Sequence, residues 1–322
     1  MEEYHFAFGV DANYVKYAGV VMTSIVLNHP GQPVTFHLIC DRLLVEDKEK
    51  LDTFTQLYRN TRIFIYDAHE TLQKIPRAAD AVVPAHLNQT VFLRILMPIL
   101  LPADIKRVIY CDADMLCLGR TEALWQLDLK GHPLAAAMEG GHEKKAKRLG
   151  LKQQRYFNAG FMVIDLERWR QLCLTPNVLD CYRREGAAFS LLEQDALNKV
   201  LDGDWLEISP YQVYLMDAFD EEQITPMPEN IFWHFLNEGK PWIPYCAERI
   251  EKIYWSYVRR SLWYEMEPSE PWEARITLMA GKNARRRGCH EDAARYLEAA
   301  ADRLMEFYLE QKERQKTKKE LP

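Results

Sequence analysis

The chain has 322 residues, 48% of them apolar and 27% charged, the proportions of an ordinary soluble globule long enough to bury a substantial core. Lys and Arg number 41 against 47 Asp and Glu, a formal charge of −6, so the charge balance gives no reason to expect nucleic acid as a partner. Seven scattered cysteines without a C-x-x-C pair argue against a disulfide framework or a zinc site, the start Met1-Glu2-Glu3 is unlike a signal peptide, and no apolar run could span a bilayer; a reducing cytoplasm is the expected compartment.

Tyr4 to Val10 reads as a strand stopped by Asp11-Ala12-Asn13, followed by a helix over Tyr14 to Asn28 that closes at His29-Pro30-Gly31. Val34 to Cys40 is a continuous apolar run, as in a strand buried on both faces. A helix near Glu46 to Tyr58 and a strand near Arg62 to Tyr66 repeat the pattern, and such alternation implies a parallel, nucleotide-type α/β sheet. A helix over about Asn88 to Leu100 carries Arg94 and precedes the strand Val108 to Cys111; Pro133 to Met138 reads as another strand. Gly140 to Gln154, with Glu143, Lys144, Lys145, Lys147 and Arg148, fits either a mobile lid or a solvated surface helix. Tyr156 to Ile164 is a strand whose Gly160 permits close backbone approach. After Pro210 the composition shifts, and from His290 a stripe of Ala293, Leu297, Ala300, Leu304 and Tyr308 predicts a helix running into the charged tail Lys312 to Glu320. A boundary is expected near residue 245, with a nucleotide domain over 1–245 and a small helical extension over 246–322.

The most telling stretch is Tyr110-Cys111-Asp112-Ala113-Asp114. Positions i and i+2 of an extended chain point to one side, so a strand ending here aims two carboxylates at one point. Two such groups repel unless a cation lies between them, and oxygen ligands of this kind suit Mg²⁺ or Mn²⁺. Asp11, Asn13 and Tyr14 place a carboxylate, an amide and an aromatic ring at a strand-to-helix turn, the groups that hydrogen-bond and stack a planar base. His234 and Lys240 add an imidazole for an oxygen-rich metal site and an ammonium for phosphate.

These segments resemble glycosyltransferase family 8, and within it the bacterial lipopolysaccharide-core hexosyltransferases. The motifs are Gly9 to Tyr14, Thr23 to Asn28, Tyr110 to Asp114, Tyr156 to Gly160, Gln194-Asp195, and His234 with Lys240-Pro241-Trp242, in the family's order over about residues 4 to 245. The resemblance implies an α/β GT-A fold, a Rossmann-like mixed sheet for nucleotide-sugars, and retaining transfer of glucose or galactose from a UDP-sugar to a lipopolysaccharide core oligosaccharide, with Mn²⁺ (or Mg²⁺) held by Asp112, Asp114 and His234. It further implies that Tyr14 stacks on uracil, with Asp11 and Asn13 bonding the base and ribose. Lys240 would contact the phosphates, and Arg94, Asn158 and Gly160 would surround the donor sugar. Gln194 would lie beneath the anomeric carbon with Asp195 beside it, and Glu193 would reach the sugar hydroxyls. Two positions depart from the family pattern: Glu193 stands where relatives often have Asp, and Asn237 where they usually have Gly.

Two other readings share some of these features. Haloacid-dehalogenase-type phosphohydrolases also use an Asp-X-Asp strand end, but they prefer Thr or Val where this chain has Leu116, and no later Asp-Asp doublet supplies their metal. A non-catalytic UDP-sugar-binding relative would be expected to lose a metal ligand, and all three are present. Arg285-Arg286-Arg287 and the Lys-rich tail suit peripheral contact with the anionic inner face of the inner membrane, or an ordinary solvated cluster.

Overall fold

The computed structural model describes residues 2–75, 89–220 and 230–320. The chain divides into two compact units: Met1–Leu215 with Met227–His234 and Arg260–Trp263, and Met216–Pro226 with Phe235–Arg259 and Tyr264–Pro322.

In the first unit, β1 (Tyr4–Val10), α1 (Val15–Asn28), β2 (Val34–Cys40), α2 (Val45–Leu57) and β3 (Thr61–Asp67) follow the expected alternation within a residue or two. All seven residues of β2 are buried, as its largely apolar run implied, Thr35 and His37 included. A short α3 (His69–Gln73) follows. The expected helix ending at Leu100 is a 3₁₀ turn (Gln89–Phe92) running into α4 (Leu93–Leu100); its Asn88 start lies outside the described residues. The chain continues through β4 (Arg107–Cys111), β5 (Met115–Cys117), α5 (Glu122–Trp125), β6 (Leu134–Met138), α6 (His142–Leu149), β7 (Phe157–Asp165), α7 (Leu166–Gln171), α8 (Leu174–Glu185), α9 (Leu192–Leu201) and β8 (Leu206–Ile208). The sheet has seven strands in the order β3-β2-β1-β4-β7-β6-β8.

That sheet is mixed. β1, β2, β3 and β4 are parallel neighbours, whereas β7 runs antiparallel between β4 and β6. An apolar run buried on two faces reports burial, not direction, so the residue pattern alone left the reversal invisible. The strand order turns back between β1 and β4, the place where an open α/β sheet leaves a crevice beyond its carboxyl ends. Phe6 and Ala7 of β1 face Ile109 and Tyr110 of β4, so Asp11 and Asp112 leave the sheet at that same edge.

A second sheet of three strands has the order β5-β10-β9, from β9 (Val213–Met216) and β10 (Phe232–Phe235). The segment Arg260–Trp263 closes the first unit: the Trp263 ring lies against the bare Cα of Gly19 on α1, where a Cβ would overlap it, and the indole N–H donates to Asp47 at 3.2 Å.

The second unit contains α10 (Glu248–Val258), α11 (Ala274–Arg286) and α12 (His290–Glu320). The predicted C-terminal stripe is buried over its first half and not its second: Ala293 and Ala300 are buried, with Tyr296 beside them, and Gly281 of α11 meets Leu297 closely, whereas Leu304 and Tyr308 are exposed. The antiparallel pair is unequal, 13 residues against 31, and beyond Arg303 the apolar residues Leu304, Met305, Phe307, Tyr308 and Leu309 of α12 are exposed.

His37 on β2 supplies a pH response. Its ring is buried between His5 (Nδ1 to Nε2, 3.0 Å) and the Tyr66 hydroxyl (2.9 Å), and burial, with His5 adding to it, pushes its pKa down to about 3. The unfolded chain therefore takes up a proton near pH 6.5 that the folded chain refuses, so stability is highest above that value and falls as pH drops toward 3. Between pH 7 and pH 5 this one ring costs about 2 kcal/mol. Urea unfolding of His37→Gln at both pH values should show the acid loss reduced by that amount.

Candidate active site

β4 ends at Cys111 and β5 begins at Met115, so Asp112-Ala113-Asp114 is the link between the two sheets. The Asp112 amide donates to the Gly160 carbonyl of β7 at 2.7 Å, which extends the β4–β7 ladder by one step and fixes the first carboxylate. On the other side Met115 pairs with His234 of β10, so the imidazole arrives beside the second carboxylate through strand register. His234 Nε2 lies 3.2 Å from Asp114 Oδ1 and 3.9 Å from Asp112 Oδ2. One donor atom from each of the three lies within 4.8 Å of the others.

This donor set fits a divalent cation. Atoms bound to one ion at about 2.1 Å sit about 3–4 Å apart, a range that holds both distances from His234 Nε2. Two carboxylates and an imidazole suit Mn²⁺ or Mg²⁺ chemistry. Opposite them Gly160 has no side chain, and a Cβ there would overlap both the His234 ring and the Asp112 carboxylate. The glycine read from sequence as a close-approach residue is thus the wall of the metal cradle.

Arg94 of α4 lies behind the pair. Its guanidinium is 3.0 Å from Asp112 Oδ1 and 3.4 Å from Glu193 Oε1, and it stands 5.4 Å from the centre of the Tyr110 ring. Burial works against its charge, but Asp112, Tyr110 and Glu193 outweigh that and raise its pKa. The Tyr110 hydroxyl donates to Asp112 Oδ1 at 3.0 Å, and burial followed by Asp112 raises its pKa too. Glu193 is 4% exposed, and burial pushes its carboxyl up to about 7 against the pull of Arg94. Three carboxylates (Asp112, Asp114, Glu193) thus gather around one guanidinium, an excess of negative charge that a divalent ion offsets.

Asn158, Gln194 and Asp195 are drawn together by β7 and α9. Asn158 Nδ2 donates to Glu139 at 2.7 Å, while its Oδ1 accepts the Gly160 amide at 2.9 Å. Gln194 Oε1 accepts the Ala159 amide at 2.8 Å, and its Nε2 donates to the Tyr156 hydroxyl at 3.0 Å. Asp195 is fully enclosed: its oxygens accept from Arg148 Nη2 (2.9 and 2.8 Å), the Tyr156 hydroxyl (2.6 Å), and the amides of Ser190 (2.8 Å) and Leu191 (3.1 Å).

The remaining expected residues of the first unit lie at the turn after β1. Asp11 Oδ1 accepts the amides of Asn13 (2.9 Å) and Tyr14 (3.1 Å), an Asx turn that starts α1. Asn13 and Tyr14 are exposed, with the Tyr14 ring edge-on to Tyr17 at 5.5 Å. Although 38% of the residue is exposed, desolvation around its hydroxyl raises the Tyr14 pKa, and the charges of Asp114, Asp11 and Asp112 add to it, which places the hydroxyl within the field of the carboxylate pair. Lys240 belongs to the second unit, where its Nζ donates to the Phe235 carbonyl at 2.6 Å. In the same loop Asn237 takes φ 57°, the left-handed backbone that Asn tolerates better than other non-glycine residues. Gly239 lets the Asp217 carboxylate approach, and that carboxylate accepts from Arg275 at 2.8 Å.

Sequence reading missed Glu139 and Tyr156 as site groups. The stretch around α6 is a surface helix, one of the two readings given for it, but an anchored one: Ala146 and Leu149 are buried, Lys145 pairs with Glu139 at 3.3 Å, and Arg148 reaches Asp195. Lys145 and Arg148 are three residues apart on one face, a helical spacing that was available in the sequence. Gly160→Ala is expected to keep the fold and lower Mn²⁺ affinity at least tenfold, because the added methyl occupies the cradle; titration of bound Mn²⁺ by electron paramagnetic resonance, with thermal melting as control, checks this.

Comparison with known proteins agrees with this geometry. Residues 5–245 match Glycosyl transferase family 8. General stress protein A of Bacillus subtilis (strain 168) is 27% identical over 275 residues, covering 80% of this chain and 94% of that one. Lipopolysaccharide 1,2-glucosyltransferase of Escherichia coli (strain K12) is 26% identical over 277 residues, covering 82% and 80% respectively. The galactosyltransferase LgtC, solved with donor and acceptor sugar analogs, superimposes with a TM-score of 0.68 at 21% identity over 84% of this chain and 99% of that one. A phosphohydrolase of the haloacid-dehalogenase type finds no support in these matches. With the family matched over most of its length and the fold shared, the chain belongs to glycosyltransferase family 8 and is a transferase of the GT-A fold.

Proposed function

We propose that the protein moves glucose or galactose from a UDP-sugar to a lipopolysaccharide core oligosaccharide, with retention of anomeric configuration and dependence on Mn²⁺ or Mg²⁺. The observation that carries this reading is the convergence of Asp112, Asp114 and His234 opposite the bare Cα of Gly160. When bound, the divalent ion stabilises negative charge on the departing diphosphate.

The chain's own residues do the rest. Tyr14, half-exposed beside the start of α1, offers a face for uracil, with Asp11 and Asn13 flanking the base and ribose. Lys240 neutralises phosphate, and Arg94, Asn158 and Gly160 line the sugar. Glu193, raised toward neutrality by burial, bonds a sugar hydroxyl. Gln194 presents an amide to the oxocarbenium-like carbon: polar, unreactive and held at both ends. Asp195, its oxygens already taken by Arg148, Tyr156 and two amides, is poorly placed to act as a nucleophile, which favours front-face attack by the acceptor hydroxyl.

The test is UDP release from UDP-glucose and UDP-galactose, with and without truncated core oligosaccharides. One donor should support turnover that EDTA abolishes and Mn²⁺ restores, and Asp112→Asn should lower kcat by two orders of magnitude or more. Turnover indifferent to chelation refutes the reading.

We further propose that residues 246–322 form a C-terminal extension to the catalytic region and that α12 holds the protein at an anionic membrane surface. The exposed band Leu304 to Leu309 is followed in sequence by Lys312, Arg314, Lys316, Lys318 and Lys319, apolar residues beside cations that suit an interface. Of the arginine triplet, Arg287 is spent inside the unit, on Glu251, the Cys246 carbonyl and the Tyr245 ring. A chain ending at residue 303 should lose co-sedimentation with phosphatidylglycerol vesicles while still hydrolysing UDP-sugar.

A further inference from the structure

Tyr156 has no role in the reading above, yet it is fully buried and its hydroxyl lies between two side chains of α9. Its partners differ in kind. The Asp195 carboxylate, 2.6 Å away, can only accept, so the Tyr156 proton must point to it. That leaves the tyrosine oxygen only lone pairs to offer Gln194, 3.0 Å away, so the amide nitrogen of Gln194 must be the end that faces it. The carbonyl end is thereby turned to the Ala159 amide at 2.8 Å, one residue from Gly160. Without Asp195 the hydroxyl could donate to Gln194 instead, and the Ala159 amide, which can only donate, would be left as the one group specifying how the Gln194 amide lies. Burial, followed by Asp195, raises the Tyr156 pKa, so the hydroxyl keeps its proton throughout the neutral range.

Asp195 is in turn fixed from outside. Arg148 of α6 bridges both its oxygens, and the Ser190 and Leu191 amides hold Oδ2. We propose that Arg148, Asp195 and Tyr156 form a directional relay whose function is to set the orientation of the Gln194 amide, making Tyr156 and Arg148 positioning residues for the transfer reaction. This rests on Gln194 standing beside the reacting carbon. It assigns a purpose to α6 and explains why a carboxylate next to that carbon is buried among donors instead of exposed to react.

The experiment uses the full-length protein, UDP-glucose or UDP-galactose (whichever turns over) and Mn²⁺. Tyr156→Phe keeps the ring's volume and removes the hydroxyl; kcat should fall about tenfold with KM for the donor within twofold, and thermal melting should confirm the fold. Gln194→Ala should lower kcat comparably, and adding Tyr156→Phe to it should cost nothing further, since the relay has lost its object. Arg148→Gln, altered at the relay's outer end, should also lower kcat at steady KM and gives a second reading should Tyr156→Phe fold poorly. A wild-type kcat in Tyr156→Phe, or losses that multiply in the double variant, would overturn the relay while leaving the Gln194 role intact. A wild-type kcat in Gln194→Ala would sink the Gln194 role and the relay's purpose together. Independent of turnover, a crystal structure of Tyr156→Phe should show Gln194 reoriented or in two conformers; an unchanged Gln194 bond to the Ala159 amide refutes the relay.

Discussion

Two carboxylates must be kept within reach of one another inside a folded chain, and most of the site follows from that demand. Asp112 and Asp114 are close because they leave one sheet and enter another, and their repulsion is offset on one side by the buried Arg94 guanidinium. On the other side the protein supplies an imidazole, which a glycine without a side chain lets approach closely. Negative charge held in excess by its surroundings is what a cation site requires before the ion arrives.

The same economy governs the groups around the expected donor sugar. A buried polar side chain with an unmade bond costs about 1–3 kcal/mol, and the three side-chain amides near the cradle are each held by at least two partners. Asn158 spans Glu139 and the Gly160 amide, Gln194 spans the Ala159 amide and Tyr156, and Asn198 grips both the amide and the carbonyl of Phe157. These bonds converge on the backbone of β7, so the strand that walls the metal cradle also carries the residues expected to meet the sugar. Rigidity of this kind places a reacting centre to within a fraction of an ångström, which transfer between two bound molecules requires.

Much of this was legible in the residues. The strands over Tyr4 to Val10 and Val34 to Cys40 coincide with those observed, because a buried parallel strand writes itself as a run rich in apolar residues. The carboxylate pair and the distant imidazole were recognisable as an ordered set. Strand direction was not, since burial carries no arrow, and β7 lies antiparallel among its neighbours. Nor were the partners of Asp195: Arg148 lies 47 residues away in a stretch whose density of charge reads as solvent-facing, and only the fold reveals that one of its cations turns inward. The tyrosines at 110 and 156 were visible as parts of motifs, but a hydroxyl's purpose depends on what stands across from it.

The three-residue passage from β4 to β5 has a consequence for how this region can change over time. It is at once a structural joint and a chemical instrument, so its length is constrained twice. A single inserted or deleted residue would shift the pairing of β5 with β10 and turn one acid away from the imidazole, whereas surface connections of the same chain face no such penalty. Changes of length are therefore tolerated in such surface connections, while the joint itself admits almost none.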